Sequence, residues 1–189
     1  MQRFRWSRRA ADGLGVVLMD RWNAKPDEER AEWALAPLAG VGPLRFGMRS
    51  GEVSAALGIV SPFQTDVVVI ARKMFRDVGV TTYYSGSAGL AGVAVDALVG
   101  PQVTFDGTPL VGRVPSELEQ WFVDQSDARK IDLRVTAYGA LALPDLGLVM
   151  RVQRAGDVLL TRLLILTHEW AMNPDDYVPE SEWHTWHAF

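Results

Sequence analysis

Residues 148–166 read LVMRVQRAGDVLLTRLLIL, and this stretch decides the fold. In its first half, Leu148, Met150 and Val152 alternate with side chains that are mostly polar. Alternation has the period of a β-strand, whereas the apolar residues of a helix recur every three to four positions. Because Gly156 stands between this run and a second apolar run, we predict a β-hairpin. Its strands are expected over 146–154 and 158–166.

An earlier part of the chain has the same period. Val80, Thr82 and Tyr84 alternate with their neighbours, and alternation returns at Val93 after a turn at 85–89. This pattern predicts another hairpin. Two more strands are expected over 101–105, closed by the Asp106-Gly107 turn pair, and over 131–137.

Helix signals precede both hairpins. A proline followed by acidic residues favours a helix start, because proline suits the first turn and carboxylates face the positive end of the dipole. This pattern occurs at Pro26 and Pro115. Apolar residues spaced by three or four positions predict two further helices, one of them ended by Gly58. The predicted helices cover 26–35, 50–57, 66–78 and 115–125.

The order of helix followed by antiparallel strands occurs twice, which is typical of an α+β fold. Gly47 precedes a Glu-Val pair by the same step as Gly112 precedes a Glu-Leu pair, a displacement of 65 residues. Duplication and chance both remain open for so short a match. We predict a twisted antiparallel sheet packed by short helices, in two helix-plus-hairpin repeats. The expected parts are an N-terminal arm and helix (1–38), a first helix and strand unit (39–107), a second such unit (108–167) and an acidic aromatic tail (168–189).

The totals exclude several classes of protein. The 189 residues suffice for one domain, or for two small ones sharing a core. Without cysteine there is no disulfide scaffold, thiol nucleophile or cysteine-ligated metal. A net charge of −4 with an acidic end disfavours nucleic-acid binding. The apolar run at 13–19 is closed by charges, and no run approaches the roughly 20 residues of a membrane helix, so we expect a soluble cytoplasmic protein without membrane attachment.

Residues 41–53 read VGPLRFGMRSGEV and lead into Leu57-Gly58. This signature resembles the two-helix and antiparallel-sheet modules of outer-membrane assembly lipoproteins and β-lactamase inhibitory proteins. It is still more similar to actinobacterial cytoplasmic proteins of uncharacterised or immunity-like role, which also carry motifs like 112–122 and the LPDLGL of 143–148. Arg49 departs from the pattern, since a capping threonine is usual there, and we expect either that Ser50 caps one residue later or that the helix starts frayed. The export signals and cysteines of the lipoprotein and secreted relatives are missing, which disfavours an envelope role.

The three histidines are the first candidates for chemistry. His184 and His187 could bind one metal from one helical turn, with Asp175 or Asp176 as a third ligand. Their position among aromatic residues near the end of the chain favours a structural role, and we expect neither a metal nor a cofactor. The chain has no nucleophile elbow and no phosphate-binding loop. We therefore predict that it is not an enzyme.

Acidic and aromatic residues dominate the end of the chain, where no Lys or Arg follows Arg162. Aromatic side chains supply interface area at little entropic cost, and carboxylates attract a basic protein partner. The alternative is a tail that wraps its own sheet with the indoles in the core. An outward sheet face carrying Tyr83, Arg134, Arg151 and Gln153 is a second candidate surface. The expected protein-binding residues are Tyr83, Arg134, Arg151, Trp170, Asp175, Asp176, Tyr177, Trp183 and Trp186.

These observations favour a non-enzymatic protein-binding module, of the immunity or inhibitor type, which occludes its target. The alternative is a small-ligand-binding protein or an enzyme with a pocket between sheet and helices. In that case His168, His184 or His187 would be the group that titrates near neutral pH. A structural or accessory role without separable activity is a third interpretation.

Overall fold

Two β-sheets organise the part of the chain that the computed structural model describes, residues 24–59, 72–184 and 186–187. In chain order the strands are β1 (Glu32–Ala36), β2 (Gly40–Val41), β3 (Leu44–Arg45), β4 (Arg72–Phe75), β5 (Val80–Ser85), β6 (Gly89–Val95), β7 (Gln102–Phe105), β8 (Thr108–Pro109), β9 (Arg134–Val135), β10 (Leu141–Leu143), β11 (Leu148–Ala155), β12 (Val158–Leu166) and β13 (Trp186–His187). The α-helices are α1 (Ser50–Ala56), α2 (Pro115–Arg129), α3 (His168–Met172) and α4 (Pro174–Tyr177).

The larger sheet has the strand order β4-β5-β6-β12-β11-β10-β9, and β13 joins it beside β11. The smaller sheet has the order β3-β2-β1-β7-β8. Neighbouring strands are antiparallel except for the pairs β1–β7 and β11–β13. The predicted α+β class with a predominantly antiparallel sheet is therefore confirmed.

Both predicted hairpins are present. Strands β11 and β12 pair from Leu148 opposite Ile165 to Ala155 opposite Val158, and β5 pairs with β6. Strand β7 also forms, but it pairs with β1 and so belongs to the smaller sheet. The strand expected over 131–137 is reduced to the two residues of β9.

The two glycines of the short internal match make equivalent contacts. Gly47 and Gly112 both have positive φ, of 86° and 70°, just before α1 and α2. The N–H of Gly47 bonds to Leu90 of β6 (2.8 Å), whose own N–H bonds to the carbonyl of the residue after the glycine (2.8 Å). Gly112 and Thr161 of β12 repeat this pair of bonds at 2.9 Å each. Because β6 and β12 lie side by side, this equivalence supports two helix-plus-hairpin repeats.

The predicted helix over 26–35 is wrong. A 3₁₀ turn covers Asp27–Glu29, and β1 follows with Trp33 and Leu35 buried and Glu32 and Ala34 exposed. The helix-start signal is local, whereas β1 obtains backbone partners from both β2 and β7. The buried guanidinium of Arg30 donates to the carbonyls of residues 97, 98 and 100, which holds this segment extended against the 96–101 loop.

The predicted helix over 66–78 is wrong where it can be compared. Residues 66–71 lie outside the described residues, as do residues 1–23 of the predicted N-terminal arm. From Arg72 the chain is strand β4, which pairs with β5 through a turn ended by Gly79. Gly79 has φ +71°, and a Cβ there would lie 2.5 Å from the backbone of Gly100. The backbones of Gly79 and Gly100 thus lie too close together for a larger residue at position 79. The chain forms a tight turn here, although the spacing of its apolar residues also fits a helix.

The other two helices form, with different ends. Helix α1 begins at Ser50 and Arg49 is its N-cap, so the expected capping by Ser50 one residue later is wrong. The Glu52 carboxylate, on the third residue of the helix, accepts a hydrogen bond from the backbone N–H of Arg49 at 2.6 Å. This bond is one half of a capping box. Helix α2 continues to Arg129 rather than to residue 125, and Lys130 ends it in a left-handed conformation.

Both faces of the larger sheet are covered. On one face, Val93, Leu148 and Ile165 pack in a core that also contains Val53 of α1 and Phe122 of α2. On the opposite face a second core joins sheet residues to the segment after β12. That second core comprises Tyr83, Ala91, Ala94, Ala140, Ala142, Val149, Leu164, Leu166, Trp170, Ala171, Val178 and Trp183.

Candidate functional site

The C-terminal segment, defined as residues 168–184, forms the cover of the second sheet face. Trp170 at the end of the first turn of α3 is 6% exposed, and Trp183 is 5% exposed. Both indoles pack with Val149 and Leu164 of the sheet. The interpretation of a tail wrapping its own sheet is therefore confirmed for these two indoles. The side chain of Trp186 lies outside the described residues, although its backbone belongs to β13.

A buried polar cluster fastens this segment to the sheet. The Glu182 carboxylate lies 3.0 Å from Nη2 of Arg162, with the side chains 3% and 2% exposed. The Tyr83 hydroxyl donates to the same carboxylate. Arg151 lies directly opposite Arg162 on the paired strands, and its Nε donates to the Glu182 carbonyl at 2.6 Å. The Glu182 carboxylate thus accepts hydrogen bonds from Arg162 and Tyr83, and the backbone carbonyl of the same residue accepts one from Arg151.

The expectation that Tyr83, Arg151 and Gln153 point outward is wrong, since they are 1%, 6% and 0% exposed. The C-terminal segment folds back over the sheet and brings Glu182 to them. Burial, together with the nearby Glu182 carboxylate, raises the pKa of the Tyr83 hydroxyl above its ordinary value of 10.0. Burial also lowers the pKa of the Arg151 guanidinium. These groups hold the segment in place and are inaccessible to a partner.

A different surface exposes aromatic and acidic side chains together, and we name it the acidic–aromatic face. It consists of Val135, Tyr138, Asp175, Asp176 and Tyr177. The exposed fractions of its three large apolar side chains are 68% for Val135, 49% for Tyr138 and 39% for Tyr177. Asp175 connects the two parts of this face, residues 135–138 and residues 175–177, because its Oδ2 accepts a hydrogen bond from the backbone N–H of Ala137 at 3.0 Å.

Both tyrosine rings of this face rest on buried tryptophans. The Tyr138 ring stacks on Trp183 with centroids 5.0 Å apart and an interplanar angle of 4°. The Tyr177 ring stacks on Trp170 at 5.7 Å and 12°. The Tyr177 hydroxyl also donates to the Glu169 carboxylate at 3.1 Å, which raises the pKa of that phenol. The second core therefore holds the exposed rings in fixed orientations.

A cavity of about 310 Å³ opens beside the acidic–aromatic face, between β9–β10 and the corner of α3 and α4. Ala142 and Ala171 line its buried part, and Asp175 and Asp176 stand among its exposed lining residues. Arg134 also lines it, with Nε 2.6 Å from the Asp132 carboxylate and Nη1 donating to the Met172 carbonyl at 3.1 Å.

The structure divides the residues predicted from the sequence into two groups. Arg134, Asp175 and Asp176 meet at the cavity, and Tyr177 lies on the same face, whereas Tyr83, Arg151, Trp170 and Trp183 are internal. Sequence reasoning missed Val135 and Tyr138. Val135 alternates with polar residues in the predicted strand 131–137, and this pattern alone would place its side chain inward. Tyr138 precedes Gly139, and this turn position is its one sequence signal for exposure. A partner-binding role for the exposed members remains a prediction.

The histidines do not assemble a site among the described residues. His168 and His184 are exposed, and neither lines the cavity. His187 lies in strand β13, so the premise that it shares a helical turn with His184 is wrong, and its side chain lies outside the described residues. No group of three or more His, Asp or Glu side chains within the described ranges could hold a metal ion.

One serine–lysine contact was not anticipated, since its members are far apart in sequence. Lys73 Nζ lies 2.8 Å from Oγ of Ser54, and that hydroxyl donates to the Ser50 carbonyl at 2.9 Å. Activation of a serine requires a base that accepts the hydroxyl proton. Here the backbone carbonyl holds that proton and the lysine is the donor. The contact therefore stabilises the start of β4 against α1 and does not prepare a nucleophile.

Comparisons with known proteins leave the question of family open. No protein-family model matches the chain, and neither a curated protein nor a solved structure matches it. The resemblance to inhibitory proteins, lipoprotein modules and immunity-like proteins thus remains a prediction from residues 41–58. Within the described ranges, no helix has both the length and the apolar character needed to cross a membrane.

Proposed function

We propose that this protein is a non-enzymatic protein-binding module of the immunity or inhibitor type, and that its acidic–aromatic face binds a basic protein. One observation carries the proposal. Two exposed tyrosine rings, Tyr138 and Tyr177, are each stacked on a buried tryptophan and lie beside the carboxylates of Asp175 and Asp176.

Fixed aromatic rings suit a binding surface. A side chain that is already ordered loses little entropy when a partner covers it, and tyrosine is enriched at the energetic centres of interfaces. Val135 adds an isopropyl group that is 68% exposed, the highest value among the large apolar side chains of the described residues. Contact with a partner would remove these apolar groups from water.

The charges favour a basic partner. Glu169, Asp175, Asp176 and Glu180 are exposed on the C-terminal segment, while no Lys or Arg follows Arg162 in the sequence. The nearby Arg134 is paired with Asp132. A surface with excess negative charge accelerates association with a positive one, and added salt weakens that effect.

A photo-crosslinking amino acid placed at position 138 tests this function in extracts of the native host. The matched control places it at Val123, which is 38% exposed on α2, away from the proposed face. We expect one stoichiometric protein adduct at 138, competed by unlabelled protein and reduced by high salt, and none at 123. Equal labelling at both positions, or labelling at neither, contradicts the proposal. The histidine-based pocket alternative would then be tested by His-to-Ala substitution.

A further inference from the structure

Strand β9 is the last strand of the larger sheet, and its outer edge has no strand partner among the described residues. We propose that an extended segment of the basic partner pairs with this edge as an added strand. The inference rests on the proposed function for the kind of partner. The open backbone edge at Val135, beside the acidic–aromatic face, is the observation that carries it.

The pairing of β9 with β10 fixes which backbone groups point outward. Val135 lies opposite Leu141, and the N–H of the next residue, Thr136, donates to the Ala140 carbonyl at 2.9 Å. The backbone of Thr136 therefore faces β10. In an antiparallel ladder, hydrogen-bonded and non-hydrogen-bonded residue pairs alternate along the strands. The N–H and C=O of Val135 consequently face away from β10, towards the outer edge.

A side chain of the C-terminal segment supports this direction independently. Ala137 lies two residues beyond Val135, so its N–H should also face outward, and the Asp175 carboxylate accepts that N–H at 3.0 Å. Oδ2 of Asp175 thus stands where a neighbouring strand would present a carbonyl oxygen. An added strand is therefore expected to bond to Val135 and to end before Ala137.

The cavity provides room beside this edge. Residues 134–136 line one side of it and residues 172–176 line the other, so it lies between β9 and the corner of α3 and α4. Val135 is 68% exposed, which leaves the position within reach of a partner. Paired strands lie about 4.8 Å apart and direct alternate side chains to the same face. Main-chain hydrogen bonds then supply affinity, and the space beside the edge selects side chains.

Charge favours a basic segment over a second copy of this chain. Pairing two β9 edges would bring two acidic–aromatic faces together, and the carboxylates of Asp175 and Asp176 in each copy would repel those in the other. Lys or Arg side chains on an added strand would meet the same carboxylates with opposite charge. Among the described lining residues of the cavity Arg134 is the one cation, and it is paired with Asp132.

The first test is an NMR titration of the ¹⁵N-labelled full chain with an acetylated seven-residue peptide amide of alternating lysine and valine. The matched control is the same peptide N-methylated at every backbone amide, which keeps the charges and side chains but removes the donors. We expect a saturable downfield shift of the Val135 amide proton with the first peptide and none with the second. Equal shifts with both peptides, or no shift with either, would overturn the proposal.

Two variants at one position separate backbone from side chain. Val135→Pro removes the outward N–H, and proline is tolerated on an edge strand when that N–H faces solvent. Val135→Ala keeps the N–H and shortens the side chain. We expect peptide binding about threefold to tenfold weaker in Val135→Pro than in Val135→Ala, the effect of one hydrogen bond. Thermal melting checks that both variants are folded, and equal affinities of folded variants would overturn the proposal.

The remaining outcomes separate this inference from the proposed function. A partner crosslinked at position 138 equally well in Val135→Pro and Val135→Ala would refute strand addition and leave the proposed function standing. No adduct at 138, with the Val135 amide still responding to the first peptide, would refute the proposed function and support the edge as a strand acceptor. A dimer of the chain alone that Val135→Pro abolishes, measured by analytical ultracentrifugation, would assign the edge to a second copy and overturn the proposal.

Discussion

Replacing Glu182 tests whether its carboxylate fastens the C-terminal segment to the sheet. In Glu182→Ala, the buried Arg162 guanidinium would lose the Glu182 carboxylate, and Tyr83 would lose the acceptor of its hydroxyl. Breaking a buried ion pair by removing one partner typically costs about 3–5 kcal/mol. At about 2–4 °C per kcal/mol for a chain of this size, the melting temperature should fall by roughly 6–20 °C.

The assay is urea denaturation followed by tryptophan fluorescence, together with thermal melting followed by circular dichroism. Trp183 adjoins Glu182 and is buried, so loosening of the segment should also shift its emission towards the red. The control is Glu180→Ala in the same 3₁₀ turn, where the side chain is exposed and a change within about 0.5 kcal/mol is expected. If Glu182→Ala is no more destabilising than Glu180→Ala, the reasoning about the buried cluster is wrong.

Three further predictions follow from the same structure. Because the pKa of Tyr83 is raised in the folded state, its contribution to stability is complete below the unfolded value of 10.0 and is lost as pH rises above it. Unfolding free energy measured from pH 9 to 11 should therefore fall less steeply in Tyr83→Phe than in the unmodified protein, and identical slopes would contradict this. Trp183→Ala should cost about 3–5 kcal/mol by urea denaturation, since its indole is core, whereas a loss below about 1 kcal/mol would identify it as surface. Gly79→Ala should destabilise more than Gly58→Ala, although their φ values of +71° and +70° are alike, because only at Gly79 would the new Cβ lie 2.5 Å from backbone. Thermal melting of both variants decides this, and equal losses would refute the role of the close approach.

The hairpins could be predicted from the sequence because their signals are local. Alternation in 148–154 and the turn at Gly156 are sufficient to define β11 and β12 without reference to the rest of the chain. The signals at Pro26 and at 66–78 were also local, yet β1 and β4 formed strands there. Strand β1 pairs with β7, which lies about 70 residues later in the chain, and β4 pairs with β5, which follows it. These pairings outweigh the local preference for a helix.

The candidate site could be predicted only in part, for the same reason. Asp175, Asp176 and Tyr177 were identified because acidic and aromatic residues cluster at that end of the chain. Composition could not separate Tyr177, which is exposed, from Trp183, which is 5% exposed. That distinction depends on which side chains meet the sheet when the segment folds back over it.

The sequence by itself determined the α+β class, the two hairpins, the helix at Pro115 and the acidic aromatic character of the last residues. These properties depend on periodicity, turn chemistry and composition within short windows. The tertiary structure alone decided that both faces of the larger sheet are covered, that Arg151 and Tyr83 are internal, and that Tyr138 joins Tyr177 on one surface. The physical reason is that burial is a long-range property: here it depends on the packing of Trp170 and Trp183 on the sheet and on the pairing of Glu182 with Arg162, a strand residue distant in sequence.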